Sequence, residues 1–220
     1  MPTTTLVFIR HGESRSNAEG WISGLSTCGG LTDHGRAQAA ALRDRLALGR
    51  RQPEVILSST MRRAVETAEI VAGPTGIAVE QLDALCERTP GECEGITMEE
   101  YRTRYGRHAY SDWVNALSPG GEDQQQFNAR VRAVVAELAA AYEGQTLWIV
   151  CHGGVIMGAA ALLMETPSRA DAPQFFNPEN ASVSEWVRAT ADAEVPIRPW
   201  LLRRYNDHAH LDGLEREVAG

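Results

Sequence analysis

Short apolar runs alternate along the chain with longer segments in which apolar residues recur at helical spacing. Runs rich in β-branched and other apolar residues predict buried strands over residues 4–9, 54–57, 77–79, 146–150, 181–188 and 199–203. Helical spacing predicts helices over residues 32–48, 61–71, 98–107 and 123–142, and a helix of small residues that ends near 164. This alternation favours an α/β fold, a three-layer sandwich in which helices cover both faces of a mostly parallel sheet.

The chain length of 220 residues is that of one α/β domain, and no repeat, linker or low-complexity tract divides it. We therefore predict a single domain over residues 1–220. The first residues lack the features of a secretory signal, and no apolar run approaches the ~20 residues needed to cross a bilayer. We expect a cytoplasmic protein with no membrane partner.

All 21 basic residues of the chain are arginine, and lysine is absent. This composition excludes mechanisms that need a lysine, such as Schiff-base chemistry or a P-loop. A bound anion would have to be held by arginine, histidine, polar side chains or backbone N–H groups. The net charge of −8 argues against a nucleic-acid partner, because no basic stripe offsets it.

Candidate chemistry lies directly after three of the predicted strands. Arg10-His11-Gly12 follows the first strand, residues 58–63 follow the second, and residues 151–154 follow the strand at 146–150. Ligands of such sheets bind beyond the carboxyl ends of the strands, beside helix N-termini that favour anions. We therefore expect two histidines and two arginines to converge on one rim: His11, His152, Arg10 and Arg63.

Arginine and histidine at helix N-termini form a set of residues that handles phosphate. A neutral imidazole such as that of His11 can attack phosphorus and form a phosphohistidine, which splits one difficult displacement into two. The leaving oxygen then needs a proton, and Glu87 supplies a carboxyl group on the same side of the sheet. Glycines at 12, 153 and 154 would let a ligand approach the backbone.

Several separate motifs agree on one family. They are LVFIRHGES at residues 6–14 followed by Asn17, STMRRA at 59–64, LCE at 85–87, GGE at 120–122 and VCHGG at 150–154. Together they resemble the histidine phosphatase superfamily (branch 1), whose members have the phosphoglycerate-mutase-like fold. The resemblance spans about residues 5–210 and implies a single histidine phosphatase domain with a partly helical substrate-side segment at about 88–130.

The resemblance also implies a role for each matching residue. His11 becomes the nucleophile, Glu87 the proton donor, and Arg10, Arg63, Asn17 and His152 the ligands of phosphate oxygens. The substrate-binding positions are Ser23, Gly24 and Gly153, with Trp21 and Ile22 as candidates for contacting the organic part of the substrate. The implied activity is metal-independent hydrolysis of a phosphate monoester of a small metabolite, without a cofactor. A homodimer is left open.

Two departures from the family pattern bear on the reaction. Residues 88–91 lack the longer insertion, rich in arginine and tyrosine, of the cofactor-dependent mutases, and the chain is shorter than those enzymes. Both favour hydrolysis, with mutase-type phosphoryl transfer and a non-catalytic phospho-ligand binding domain as the alternatives. The loop at 25–30 and Cys93 also depart from the pattern, and neither identifies the substrate.

Further polar groups each allow two interpretations. Cys151 could act as a nucleophile beside His152, but neighbouring strand residues point to opposite faces, which favours a packed thiol. His208 and His210 could approach the site or a metal, or serve as a structural cap. A cluster on one predicted helix and beyond it could clasp a large substrate or form a solvated face: Arg102, Arg104, Arg107, Tyr101, Tyr105 and Tyr110. No histidine and cysteine set has zinc-ligand spacing, so no metal is expected.

Overall fold

The computed structural model describes residues 3–49, 52–109, 114–165, 177–189 and 199–214. The strands are β1 (Thr3–Arg10), β2 (Val55–Ser58), β3 (Val79–Gln81), β4 (Thr146–Cys151), β5 (Val183–Ala189) and β6 (Leu201–Asp207). Within the described residues they form one six-stranded sheet in the order β3-β2-β4-β1-β5-β6. The first four strands pair in parallel, whereas β5 pairs antiparallel with both β1 and β6. The predicted mostly parallel α/β sheet is therefore confirmed.

The helices are α1 (Arg15–Glu19), α2 (Asp33–Ala47), α3 (Arg62–Ala72), α4 (Met98–Tyr105), α5 (Gln124–Ala141) and α6 (Gly153–Leu163). Side chains cap several of their N-termini, and Thr32, Thr97 and Asp123 each accept a backbone N–H of the first turn. Among the described helices, none is long and apolar enough to cross a membrane.

Both faces of the sheet are buried, and alternate residues of β1 belong to different hydrophobic clusters. Leu6 and Phe8 pack with the helices α5 and α6 on one face. Val7 and Ile9 pack with α2 and α3 on the other face. Each large side chain that is fully buried in this way contributes about 1.5–3 kcal/mol to stability. The two clusters fix the sheet between two helix layers, as the hydrophobic pattern predicts.

A third, smaller hydrophobic cluster lies within the segment predicted at about 88–130. It is formed by Cys93, Tyr101, Ala109 and Leu117, and it also includes Ile22 from the loop after α1. The Tyr101 hydroxyl donates a hydrogen bond to the Leu117 carbonyl at 2.7 Å. This cluster joins the segment to the loop that carries the predicted substrate-binding residues.

Two local predictions are corrected by the structure. The third strand lies at Val79–Gln81 and not at 77–79, because β3 pairs with β2 in a register that sets Ile56 opposite Val79. The helix predicted over 61–71 lies at Arg62–Ala72, because Met61 is its N-cap residue, which makes no side-chain capping bond. Ser59 is turned toward the rim of the sheet, where it binds a histidine.

Candidate active site

The carboxyl ends of β1 and β4 lie side by side and bring the two predicted histidines together. Arg10 is opposite Cys151 in this parallel pair, so His11 and His152 follow at the same level. Their ring centroids are 5.1 Å apart. On the other side of β4, β2 leads into α3, whose second residue is Arg63. The expected convergence on one rim is present.

His11 is buried and held in a single tautomer. Its Nδ1 lies 2.7 Å from the Gly12 carbonyl oxygen, which can only accept, so Nδ1 carries the proton. Nε2 therefore carries no proton, and its lone pair accepts a hydrogen bond from Arg63 Nε at 3.1 Å. Burial and the nearby guanidinium groups of Arg63 and Arg10 hold the pKa of His11 well below its usual range. The imidazole is neutral at neutral pH.

His152 is fully buried beside His11, and its ring is held by Ser59. The Ser59 hydroxyl lies 2.7 Å from His152 Nε2 and accepts a hydrogen bond from the Met61 N–H. His152 Nδ1 has no hydrogen-bond partner among the described residues. Burial and the nearby Arg63 lower the pKa of His152 well below its usual range. In the tautomer in which Ser59 donates to Nε2, the neutral ring carries its N–H at Nδ1, where it can donate to a further acceptor.

Arg63 is 5% exposed and joins the histidines to the loop after α1. Besides His11, its guanidinium donates to Ser23 Oγ at 3.2 Å and to Cys28 Sγ at 3.5 Å. Arg10 lies at the end of β1 and donates to the Pro178 carbonyl. The two arginines therefore approach the rim from different elements.

Asn17 is fixed by a capping box at the start of α1. Its Oδ1 accepts from the Ser14 backbone N–H at 3.2 Å and from the Ser14 hydroxyl at 2.8 Å. The side chain of Asn180 donates to the same oxygen at 3.4 Å and to the His11 carbonyl at 3.0 Å. The amide oxygen of Asn17 is therefore occupied, which leaves its NH₂ group as the donor for a ligand.

Glu87 lies at the N-terminus of α6. One carboxyl oxygen accepts from the Gly154 N–H at 2.9 Å, and the other accepts from the Arg88 N–H at 3.0 Å. A Cβ at Gly154 would lie 2.2 Å from Glu87 Oε1, so only glycine leaves room for this carboxyl group. Because Gly154 comes two residues after His152, Glu87 reaches the same rim as the histidines.

The loop that carries Ser23 and Gly24 is folded around Glu94. One Glu94 oxygen accepts from the Ser26 hydroxyl at 2.8 Å and from the Thr27 N–H at 2.9 Å. Burial alone would raise the pKa of Glu94, but these hydrogen bonds outweigh it and leave the pKa below its usual range. A Cβ at Gly24 would lie 2.2 Å from the Glu94 carboxyl carbon, so Gly24 makes this packing possible.

The structure shows which of the residues predicted to contact a ligand are occupied by contacts within the protein. Ile22 is only 6% exposed, because it packs in the third hydrophobic cluster, whereas Trp21 is half-exposed. The absent side chains at Gly12 and Gly154 make room for protein atoms, namely the Gly35 carbonyl and the Glu87 carboxyl group. Gly153 is different, since a Cβ there would meet nothing closer than 3.8 Å, the distance to Arg10 Nε.

The structure gives the remaining candidates no part in the histidine pair. Burial raises the pKa of the Cys151 thiol, which belongs to the hydrophobic core, as predicted for a packed thiol. His208 is exposed, and His210 receives a hydrogen bond from Arg45 at 3.1 Å, which makes it a structural contact. Among the described residues, no group of three or more His, Cys, Asp or Glu could hold a metal ion.

The arginine cluster of α4 is divided by the structure. Tyr101 is buried and stacks on Tyr105 at 4.6 Å between ring centroids. Arg102 and Arg104 are exposed, whereas Arg107 donates to the carbonyls of Ala116 and Leu117 at 3.2 Å. The cluster is thus partly core and partly solvated helix face, and Tyr110 lies outside the described residues.

Four residues that contact the site were not identified from the sequence. Ser59 binds His152, Asn180 binds His11 and Asn17, Cys28 contacts Arg63, and Arg130 binds the segment that carries Glu87. Ser59 could have been found from its place in the motif at 59–64. Nothing in the local sequence signals the other three, because their contacts join residues that are distant along the chain.

Proteins of known activity are similar to the chain. A glucosyl-3-phosphoglycerate phosphatase of Mycobacterium tuberculosis is 33% identical over 178 residues, which cover 76% of this chain and 78% of the relative. A metal-independent phosphoserine phosphatase of Arabidopsis thaliana is 28% identical over 218 residues, covering 96% and 84%. The solved structure of a mycobacterial glucosyl-3-phosphoglycerate phosphatase matches with a TM-score of 0.75 at 30% identity, covering 93% of this chain and 99% of that one.

The family comparison agrees with the geometry of the rim. The family model described as histidine phosphatase superfamily (branch 1) matches residues 6–196, which include His11, Arg63, Glu87 and His152. The matched range also contains β2 to β5 and most of β1. The chain therefore belongs to branch 1 of the histidine phosphatase superfamily and is a phosphoric monoester hydrolase.

Proposed function

We propose that the protein is a metal-independent phosphatase that hydrolyses phosphate monoesters of small metabolites through a phosphohistidine at His11. The state of His11 is the observation that carries this proposal. Its ring is buried and neutral, Nδ1 is bound to the Gly12 carbonyl, and Nε2 has a lone pair directed at Arg63. A neutral imidazole oriented in this way is prepared to attack phosphorus.

In the first step, His11 Nε2 forms a bond to phosphorus while the bond from phosphorus to the ester oxygen breaks. Glu87 gives its proton to the leaving oxygen, which departs as an alcohol. In the second step, water attacks the phosphohistidine, Glu87 takes a proton from that water, and the nitrogen–phosphorus bond breaks. Inorganic phosphate is released, and Glu87 is again protonated.

Positive charge and N–H donors around the histidines support binding of the transferred group. Arg10 and Arg63 each carry a permanent positive charge, and His152 has an Nδ1 with no partner among the described residues. An unpaired buried N–H costs free energy, which a phosphate oxygen accepting from it would recover. The NH₂ group of Asn17 adds a donor. These groups would stabilise charge on the non-bridging oxygens in the transition state.

The names of the relatives suggest where to look for the substrate. Glucosyl-3-phosphoglycerate and phosphoserine are both phosphate monoesters of small carboxylic acids. We propose phosphorylated metabolites of this kind as the first substrates to test. The loop around Ser23 and Trp21, together with the segment at 88–130, would contact the organic part.

Phosphate release from p-nitrophenyl phosphate by the wild type and by His11→Ala tests the proposal. We expect the variant to lose activity, because it lacks the imidazole that would form the phosphoenzyme. His208→Ala serves as the control, since His208 is exposed, and it should keep wild-type turnover. Wild-type protein quenched during turnover should carry acid-labile phosphate, and His11→Ala should not. Full turnover by His11→Ala would refute the assignment.

Two further measurements separate the alternatives. EDTA should leave the rate unchanged, and a strong loss that added metal restores would contradict metal independence. A screen of phosphorylated metabolites should yield free phosphate, whereas an isomerised phosphate ester would identify a mutase. Binding of phosphorylated compounds without either product would identify a non-catalytic binding domain.

A further inference from the structure

Every N–H group of the Arg130 guanidinium, on α5, donates a hydrogen bond to Glu122 or to the segment that leads into Glu87. Two of its N–H groups bind the Glu122 carboxylate, at 2.8 and 2.6 Å. The others bind backbone carbonyls, at 2.9 Å to Ala84, 2.9 Å to Cys86 and 3.4 Å to Glu87. An arginine side chain has five N–H donors in a fixed planar arrangement, and all of them have acceptors here. One rigid group therefore sets the path of the chain into Glu87.

Glu122 holds the same segment from its other end. Its carboxylate accepts from the Thr89 N–H at 2.9 Å, and its own N–H donates to the Thr89 carbonyl at 2.9 Å. Burial alone would raise the pKa of Glu122, but the hydrogen bonds from Arg130 and Thr89 outweigh it and leave the pKa below its usual range. Glu122 thus stays ionised, and the pair fixes the backbone on both sides of Glu87.

Two side chains of α5 support Glu87: Arg130 binds its backbone carbonyl, and Phe127 packs against the Gly154 backbone that donates to its carboxyl group. Arg130 lies over the ring of Phe127, at 5.0 Å from its centroid. The end of the same ring would lie 3.0 Å from a Cβ at Gly154, so Phe127 packs directly against the backbone that donates to Glu87. The side chains of α5 therefore position both the backbone of Glu87 and the N–H that its carboxyl group binds.

We infer that Arg130 and Glu122 are positioning residues for Glu87, whose proton they keep in reach of the leaving oxygen. This inference rests on the proposed role of Glu87 as the proton donor. A lysine at 130 could keep the charge, but a single ammonium group cannot span the carboxylate and the carbonyls at once. A misplacement of about 1 Å can cost about a hundredfold in rate, so such a device has a measurable effect.

Two aryl phosphates with different leaving groups test the inference. The leaving group of 2,4-dinitrophenyl phosphate is stable as an anion and needs no proton, whereas that of phenyl phosphate needs one. Measurement of kcat/KM for both esters compares the wild type with Arg130→Gln, Arg130→Lys and Glu122→Gln. Glu87→Gln gives the reference pattern for a lost acid. Arg132→Gln is the matched control, because Arg132 is exposed on the same helix.

For both Arg130 variants we expect kcat/KM for phenyl phosphate to fall about tenfold or more, with less than about a twofold change for the dinitrophenyl ester. Glu122→Gln should change in the same direction, and Arg132→Gln should change neither value. An equal loss on both esters, or no loss, would overturn the inference. If Arg130→Gln does not fold, Arg130→Lys and Glu122→Gln decide by the same criterion.

Glu87→Gln separates the failure of this inference from the failure of the proposed mechanism. If Glu87→Gln loses phenyl phosphate selectively and the Arg130 variants do not, Glu87 is the acid and Arg130 does not position it. If Glu87→Gln shows no selective loss, the assignment of the acid is wrong, and the inference falls with it.

Discussion

Single side chains in this site have properties that depend on their neighbours. His11 and His152 are neutral because they are buried beside Arg63, and each ring is fixed by one short hydrogen bond, to the Gly12 carbonyl and to Ser59 respectively. The sequence motifs identify both histidines. The tautomer and the charge follow from acceptors and desolvation that exist only in the folded chain.

Ser59→Ala removes the hydroxyl that lies 2.7 Å from His152 Nε2. We expect a loss of about 1–3 kcal/mol of stability, because a buried ring nitrogen loses its partner. We also expect kcat/KM for p-nitrophenyl phosphate to fall about tenfold, since the ring can then rotate away from the phosphate. Thermal denaturation and steady-state kinetics measure the two effects.

The matched control for this prediction is Ser182→Ala. Ser182 is also fully buried, and its hydroxyl has no hydrogen-bond partner among the described residues. Its removal should leave both the melting temperature and the kinetics near those of the wild type. Folded Ser59→Ala protein with wild-type kinetics would show that His152 does not depend on this hydroxyl.

Helix α6 shows how much of an element can be read from its sequence. Its small residues and the two glycines at its start predict a helix beside the rim, and the helix is present at Gly153–Leu163. The pattern does not tell which glycine is required. Gly154 faces Glu87 and Phe127, whereas Gly153 has space for a methyl group.

Gly154→Ala should therefore lower the stability of the protein, whereas Gly153→Ala should not. A Cβ at 154 would lie 2.2 Å from Glu87 Oε1, so we expect a lower melting temperature and a large loss of phenyl phosphate hydrolysis. A Cβ at 153 meets nothing closer than 3.8 Å, and alanine is at least as compatible as glycine with the first turn of a helix. The melting temperature of Gly153→Ala should not fall. Equal melting temperatures for both variants would contradict this explanation.

The boundaries of the other elements are predicted well where they depend on local sequence and poorly where they depend on tertiary contacts. The helices predicted over 32–48 and 123–142 are confirmed with small changes, because their apolar stripes and caps lie within the segment itself. The third strand was predicted two residues early, since its position depends on pairing with β2. The antiparallel direction of β5 is likewise set by its neighbours and not by its own residues.

At the scale of the whole molecule, ion pairs join the edge strand β6 to the helix layer. Asp207, at the end of β6, pairs with Arg45 of α2 and with Arg204. Arg204 also pairs with Glu185 of β5 at 2.6 Å. Hydrogen bonding to Arg45 is the main reason that the pKa of Asp207 is lowered to about 2.

The lowered pKa of Asp207 predicts the direction in which the stability of the folded protein changes with pH. The carboxyl group of Asp207 titrates lower in the folded chain than its ordinary value of 3.8, so its contribution is present above that pH. The contribution is lost as the pH falls toward about 2. We expect Asp207→Asn to have a lower melting temperature than the wild type at pH 7, with a difference that shrinks below pH 3.8.

Melting curves across this pH range test the prediction, with Asp212→Asn as the control. Asp212 is exposed, and its variant should follow the wild type at every pH. A difference between Asp207→Asn and the wild type that stays constant down to pH 2 would show that the carboxylate charge is not responsible.

The net charge of −8 describes the whole molecule and does not predict the charge at the site. The net charge is a sum over the whole chain, whereas Arg10 and Arg63 bring positive charge to the rim that also holds the histidines. Local potential, and not net charge, decides whether an acidic protein can bind a phosphate dianion.

Local patterns in the chain are sufficient to predict the α/β alternation, the family and four candidate site residues, His11, Arg63, Glu87 and His152, because periodicity and spaced motifs belong to short segments of sequence. The folded chain is needed to establish the charge of the histidines, the burial of Ile22 and the hydrogen bonds of Ser59, Asn180 and Arg130. These features arise from contacts between residues far apart in sequence. No local pattern encodes them, since each depends on which strands and helices become neighbours when the chain folds.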